Sequence, residues 1–579
     1  MRISLLSLAF LTGPVLAQVP LPQPPFMPPN ASSGAVPSSS GGVPNAQWST
    51  LLGNLLYFYE AQRSGKLPST NRVPWRNDSA VNDGSDVHLD LSGGYYDAGD
   101  YIKCTFPLSF TVMSICWGAT DFGKGYDLAN QTPYLDDMLR WSLDWLMKAH
   151  PSNDTLFVQI GDTDLDNAYW GGDQNIPEPR PSYQINNTSP GTDAAAGVSA
   201  AFSACSNLYS NRLFSSNYSG PATLQNSTYA AELLQHAQTL YSFAVSASQT
   251  EYQNSVPVAG DAYASSGYGD ELTLAALFLA WATNSSSLYQ DAENYYTKFG
   301  LGGYDGVFNW DSKTPGIPVL FAQIAQANPG FGGGNISTWQ SQAENYFDGI
   351  VNGSGSGYMT RGGLLYYTGD SDEASVNPSL NAAMLLTRYA QIASSQNKKS
   401  SYLNYAKSQV DYVLGKNPMS APYIVGSNPN SPANPHSAMA SGGNDTNNIN
   451  TSPMQEAYVL YGAIVGGPDQ YDRFFDIRGD WPETEVALDY NAPMLTLAAM
   501  HALNDSSDPF FTSLQPGAYS QKQPQGFPCD AAYSQGCGGP RLSKGGEIAM
   551  AVIIGVVGLT IFSLIGWLFL LSFQDGKMG

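Results

Sequence analysis

The sequence predicts an all-α domain over residues 47–505, set between two tails of different texture. Three observations predict it. Apolar residues recur at helical spacing: from Tyr134 to Ala149, Leu135, Leu139, Leu143 and Leu146 fall at i, i+4, i+8 and i+11, one helix face. Strand-like alternation is rare. And 42% of a 579-residue chain is hydrophobic, enough for one large core. That many helices separated by long loops point to a helical toroid rather than a bundle with short turns. Periodicity alone does not close the ring.

Composition narrows the function. The net charge is −23 with only 25 Lys+Arg, which argues against nucleic acid, whose phosphates need basic patches. Charged residues make up only 13%, while Tyr (35) and Trp (11) are plentiful. A polar, weakly charged surface with many aromatics suits an uncharged carbohydrate, or a glycosylated exterior.

In chain order, residues 1–17 form a signal peptide: Arg2, then an apolar run from Leu5, then Val15-Leu16-Ala17 as the cleavage site. Residues 18–46 are Pro-, Ser- and Gly-rich and are expected to be a flexible arm. A first helix follows over 51–59, broken at Arg63-Ser64-Gly65-Lys66-Leu67-Pro68. Further helices are expected near 107–120, 134–149, 192–208, 228–248, 271–283, 315–327, 337–350, 378–394, 400–414 and 492–503. Residues 506–546, again rich in Pro, Gly and Ser, are expected to be a stalk, with Cys529 and Cys537 closing a small loop.

Residues 548–573 carry no charge. As a helix at 1.5 Å per residue they would extend roughly 39 Å, enough to cross a bilayer core of about 30 Å with tilt. A single C-terminal transmembrane helix over 547–573 is therefore expected, with a cytoplasmic tail at 574–579 and the large domain outside the cell. The rival, a removable lipid-anchor signal, would end on its apolar tail, whereas Gln574-Asp575-Gly576-Lys577 follow here. Fourteen Asn-X-Ser/Thr sequons, from Asn30 to Asn504, fit passage through a glycosylating pathway. Cys104, Cys116 and Cys205 leave one thiol without a partner among them. No Cys-X-X-Cys or His/Cys cluster suits zinc.

Two stretches carry chemistry. Gly93-Gly94-Tyr95-Tyr96-Asp97-Ala98-Gly99-Asp100 sets two carboxylates three residues apart among glycines, which let backbone approach a ligand, and tyrosines, which offer flat faces. By itself it also reads as a tight turn capped by its own aspartates. The second runs from Phe474 to Ala492 and interleaves five acids with Phe, Trp, Tyr and Val, unlike a solvated surface. A carboxylic acid beside aromatics is partly desolvated, which raises its pKa. At an ordinary pKa of about 4.3, Glu is only roughly one-sixth protonated at pH 5; at about 6 it is roughly nine-tenths protonated and can serve as a general acid.

These residues resemble a known family. Gly94 to Lys103 resembles the N-terminal active-site motif of glycoside hydrolase family 9, the inverting cellulases. Phe474-x-Asp476-x4-Trp481-x3-Glu485-x-Ala487-x3-Asn491-Ala492 resembles its C-terminal signature at every fixed position. Arg63 to Pro68, Tyr412 to Pro418 and Val465 to Asp469 are further matches. The resemblance implies an (α/α)6 barrel with an open cleft and hydrolysis of internal β-1,4-glucosidic bonds with inversion. It implies Asp100 as general base, Asp97 as a second group on the attacking water, and Glu485 as general acid. An inverting pair stands about 6.5–9.5 Å apart, leaving room for that water. Tyr490 and His436 match substrate-contacting residues. The sequence departs from the family at Pro435-His436-Ser437-Ala438, where His and Arg usually follow His436. An Arg fork makes several directed hydrogen bonds and Ala makes none.

The family often carries Ca2+. Ser266-Gly267-Tyr268-Gly269-Asp270-Glu271 resembles its calcium segment, with Asp311 as an extra ligand: hard oxygen donors at a helix start. The same acids also suit a helix N-terminus through the helix dipole. Two rival functions stay open on these residues: a surface-anchored, non-catalytic glucan-binding or wall-organising protein, and an exo-acting β-glucosidase or glucosaminidase.

Overall fold

The computed structural model describes residues 18–34, 37, 42–331 and 336–537. The expected signal peptide (1–17), the far part of the stalk, the span at 547–573 and the tail at 574–579 lie outside the described residues. Among the described residues, no helix is long and apolar enough to cross a membrane.

Twelve long helices carry the domain: α1 (Ala46–Ala61), α2 (Thr105–Asp121), α3 (Thr132–Ala149), α4 (Thr192–Tyr209), α5 (Ser227–Ser246), α6 (Gly269–Thr283), α7 (Ser286–Lys298), α8 (Gly316–Ala327), α9 (Ile336–Asn352), α10 (Val376–Ala390), α11 (Gln396–Val413) and α12 (Leu488–Asn504). They alternate between two layers. The inner layer is α2, α4, α6, α8, α10 and α12, each packed on the next, and α12 returns to α2. The ring therefore closes.

Inner helices are buried nearly all round. Every residue of α2, α4 and α10 is buried. Small residues permit the close crossings: a Cβ on Gly118 of α2 would lie 1.8 Å from Thr496 Oγ1 of α12. Outer helices bury one face only, as α5 does with Tyr229, Leu233, Ala237, Leu240 and Ala244. Helix α7 was not among the expected helices, because it buries only Tyr289 and Ala292 and so has little periodicity to read. Of three short antiparallel strands, β1 (Lys103–Cys104) immediately precedes α2, while β2 (Thr155–Ile160) and β3 (Ser182–Asn186) lie between α3 and α4 in sequence. A disulfide joins Cys116 of α2 to Cys205 of α4, and Cys104 is free and buried.

Both flanking expectations need correction. Residues 18–34 are a strap packed on the domain, not a flexible arm. Asp136 Oδ2 accepts from Val19 N–H (2.7 Å), and Tyr134 Oη accepts from Phe26 N–H (2.6 Å). Arg72 donates to the Phe26 carbonyl (3.0 Å) while its guanidinium lies 5.7 Å from the Phe26 ring. Pro20, Pro22, Pro24, Pro25, Pro28 and Pro29 fix φ, so the strap loses less entropy on docking than its few apolar residues suggest. The stalk likewise begins later than 506. Trp48 Nε1 donates to the Ser507 carbonyl (3.0 Å), Phe511 is buried, and Tyr519 Oη donates to the Phe474 carbonyl (2.9 Å). The first compact unit runs to Gln525. In the second unit, Cys529 and Cys537 form the expected disulfide. Every described sequon asparagine is exposed or half-buried.

Candidate active site

The segment after α1 acts as a template for the N-terminal motif. Ser64 N–H donates to the Gly94 carbonyl (2.9 Å) and Tyr96 N–H to the Gln62 carbonyl (2.9 Å). The Gln62 side chain donates to the Ala98 carbonyl (2.6 Å). The motif's tyrosines are structural, contrary to the flat ligand faces expected of them. Tyr95, Tyr96 and Tyr101 are all buried. Their hydroxyls donate to the Met138 carbonyl, Ser79 Oγ and the Gly171 carbonyl. Gly99 is required by a close approach: a Cβ there would lie 2.1 Å from the His436 carbonyl oxygen.

The C-terminal signature meets this motif directly. Leu488 N–H donates to the Asp97 carbonyl (3.0 Å) and Ala438 N–H to the Gly99 carbonyl (2.7 Å). Glu485 follows the one-turn helix Trp481–Thr484 in extended conformation. It is held on both sides, by His436 N–H on the Thr484 carbonyl (2.8 Å) and Gly466 N–H on the Glu485 carbonyl (2.9 Å). Residues nearly four hundred positions apart in the chain are thus bound backbone to backbone.

The carboxyl groups gathered here lack cations. Among the described residues, no ion pair involves Asp97, Asp100, Glu485 or Asp489. Burial pushes Asp97 up to about 7, opposed by the Tyr263 hydroxyl that donates to its Oδ2. Burial, then the charges of Asp97 and Glu485, push Asp100 up to about 8. Burial, then Asp97 and Asp489, push Glu485 up to about 8. Asp489, also driven up by burial, to about 7, accepts from the Asn377 amide (3.3 Å). Asp100 Oδ1 is buried and accepts from no protein donor. His436 is half-buried. Its Nδ1 lies 2.7 Å from the Arg478 carbonyl, which can only accept, so Nδ1 carries the proton and Nε2 is an acceptor. Burial holds this imidazole down at about 4, neutral under ordinary conditions.

Comparison with known proteins agrees. The family model described as glycosyl hydrolase family 9 matches residues 48–498. The chain belongs to glycosyl hydrolase family 9. An endoglucanase of Arabidopsis thaliana is 36% identical over 478 residues, covering 79% of this chain and 94% of that one. Endoglucanase A of Bacillus pumilus is 35% identical over 441 residues, covering 76% of this chain and 63% of that one. Among solved structures, the endoglucanase of the termite Nasutitermes takasagoensis superposes with a TM-score of 0.70 at 35% identity, covering 79% of this chain and 98% of that one. A cellulase of C. cellulolyticum in complex with cellobiose superposes with a TM-score of 0.69 at 29% identity, with the same coverage.

In this family 9 glycoside hydrolase, the two residues after His436 are packed into the fold. Ser437 is fully buried and caps the short helix Ala438–Ser441, while Ala438 packs with Tyr96, Tyr101, Trp170 and Met439. Tyr490 sits half-buried in the first turn of α12, close enough to Glu485 for that charge, after burial, to push its hydroxyl pKa up.

The family's calcium segment has mixed geometry here. Glu271 is buried, with Oε1 2.5 Å from Lys313 Nζ and Oε2 without a partner. Burial, then neighbouring Asp270, push it well up. Asp270 accepts from Lys313 N–H (2.6 Å). This orphaned oxygen beside a second carboxylate fits a hard cation. Ser266 and Gly267 are the adjoining backbone. Asp311 is the outlier: it accepts from Ser266 N–H (2.7 Å), and the three carboxylates do not gather within 4.8 Å of one another.

Sequence reasoning missed Tyr263, and gave Asp166 and Asp489 no role. Asp489 lies inside the quoted signature. Tyr263 reaches Asp97 across 166 residues, and no local pattern signals such a contact.

Proposed function

We propose that the chain hydrolyses internal β-1,4-glucosidic bonds of cellulose or related β-glucans with inversion of configuration. Asp100 is the base, Asp97 helps to hold the water and Glu485 is the acid. The observation that carries this reading is the gathering of these carboxyl groups without a counter-cation. A raised pKa keeps Glu485 protonated, ready to give its proton to the glycosidic oxygen as the bond breaks. The water attacks the anomeric carbon from the other side and loses its proton to Asp100. His436 Nε2 accepts from a sugar hydroxyl, and Tyr490 borders the same site. Without the family's His and Arg after His436, contacts next to the cleavage point are fewer, which favours weaker binding of short oligomers. Digesting a panel of β-glucans, with product size and the NMR anomer of the new reducing end, tests the assignment. Short products from soluble glucan, first appearing as α-anomers, are expected. Binding without any release of reducing ends would favour a glucan-binding protein.

Two further parts belong to this reading. Calcium held by Ser266, Gly267, Asp270 and Glu271, with Asp311 nearby, would brace the loop before α6; chelation should then lower Tm and added Ca2+ restore it. A membrane span at 547–573 would display the domain outside the cell; truncation before Glu547 should release soluble, active enzyme.

A further inference from the structure

We infer that Asp166 is a positioning residue for the general base: it holds the proton of a carboxyl–carboxylate pair with Asp100 and so keeps Asp100 ionised and oriented. This rests on the assignment of Asp100 proposed above.

Asp166 lies on the short helix Thr163–Asn167, whose start is fixed by Asp162 accepting from Leu165 N–H (2.9 Å). It is 7% exposed. Its Oδ1 and Oδ2 lie 3.1 and 3.4 Å from Tyr101 N, the amide immediately after Asp100. Its carboxyl also lies against the Asp100 carboxyl, each acting on the other's affinity for a proton. One side chain therefore grips both the backbone beside the base and the base itself. An ionised carboxylate has only acceptors, so a hydrogen bond between two carboxyl groups requires a proton on one of them. If Asp100 takes a proton from water, it must begin ionised, and the proton belongs to Asp166.

The surroundings agree. Arg180 is the nearby cation, and it is engaged with Asp83 at 2.8 and 3.3 Å. Asp97, Glu485 and the Cys104 thiol are the other titratable groups around the pair. From the helix packed against it, Pro257–Tyr263, Tyr263 is bound to Asp97 and Asp261 is exposed. Apart from Arg180, whose charge is shared with Asp83, none of these is a cation, so two adjacent negative charges are disfavoured and the pair holds one proton over a wide pH range.

The test compares Asp166→Asn with Asp166→Ala in the full chain. The Asn amide is a permanent donor and imitates the protonated acid. It should keep kcat on soluble β-glucan within about threefold and leave the acid limb of kcat/KM in place. Ala removes the donor that favours ionised Asp100, so the Asp100 pKa rises. The acid limb should move up by about one pH unit and kcat should fall ten- to a hundredfold, with KM little changed. An unmoved limb in the Ala variant, or an Asn variant as impaired as Ala, would overturn the proposal. Infrared difference spectra supply a readout independent of turnover: at pH 6 the wild type should show a protonated buried carboxyl band that Asp166→Asn lacks. A wild type inactive on every glucan but showing this band would sink the glucanase reading and leave the pairing intact. An unchanged band in Asp166→Asn would sink the pairing in an active enzyme.

Discussion

Buried carboxylates occur here in two settings. Around the walls they are paired: Asp83 lies 2.7 Å from Lys103 and 2.8 Å from Arg180, Glu60 is bound by Arg72, and Asp137 by Arg63. In the cleft, Asp97, Asp100, Glu485 and Asp489 have no cation at all among the described residues. Lys103 and Arg180, though opposed by burial, hold Asp83 below the usual carboxylate range. The cleft acids are pushed to about 7 or 8. Burial raises the pKa in both settings, and at Asp83 two cations outweigh it. An uncompensated buried carboxyl weakens the fold, and it persists where protons must be held and passed.

Substitution should separate the two settings. The largest effect is expected at Asp100. Asp100→Asn removes the acceptor for the water's proton and should lower kcat on soluble β-glucan by about 10²–10⁴-fold. Its Tm should not fall, because a carboxyl without a cation is replaced by a neutral amide. Asp97→Asn should cost less activity. Wild-type-like turnover by Asp100→Asn would end its assignment as base. Glu485→Gln should lose a comparable factor on natural glucan yet retain measurable hydrolysis of an activated β-cellobiosyl fluoride, whose leaving group needs no proton. If both substrates suffered equally, Glu485 would not be the acid.

At the wall the expected result is reversed. Asp83→Asn leaves the Lys103 and Arg180 charges buried without their partner, and should destabilise by about 3–5 kcal/mol. Turnover per folded molecule should stay near wild type. Denaturant unfolding at pH 7, with activity corrected for the folded fraction, would show whether stability and chemistry divide this way.

The gathering of Asp97, Asp100 and Glu485 was legible in the sequence because each sits in a compact local pattern. What surrounds them was not. Ring closure depends on α12 meeting α2, and helices buried nearly all round carry no polar face from which a neighbour can be read. The pairing of Cys116 with Cys205, rather than with Cys104, follows from α2 packing on α4. Asp166 reaches the residue after Asp100 across 65 positions from a short polar helix that offers no motif. The strap at 18–34 was misread because its prolines suggested disorder. Here they hold an extended segment against Tyr134 and Arg72.

The gentlest separation of the two settings is by pH. Asp97 and Glu485 have folded pKa values above the ordinary 3.8 and 4.5, at about 7 and 8. Between those limits the folded state keeps protons that the unfolded chain has released. Stability from these groups is therefore full below about pH 4 and lost as pH rises through their folded values. A histidine pair away from the cleft works in the opposite sense. His150 Nδ1 lies 2.8 Å from His236 Nδ1, and burial, then His236, hold His150 down at about 4 against an ordinary 6.5. The unfolded chain takes up that proton first, so stability is lost as pH falls from about 6.5 to about 4. Two carboxyls outweigh one histidine, so Tm should fall as pH rises from about 4 to 8, less steeply below about 6.5 where His150 opposes them. Asp97→Asn/Glu485→Gln should remove much of this fall across the range. His150→Gln should steepen it between about pH 4 and 6.5 only. Calorimetric scans from pH 4 to 8 on the three proteins would decide, and a double variant with an unchanged fall would mean that these carboxyls are ionised in the folded enzyme.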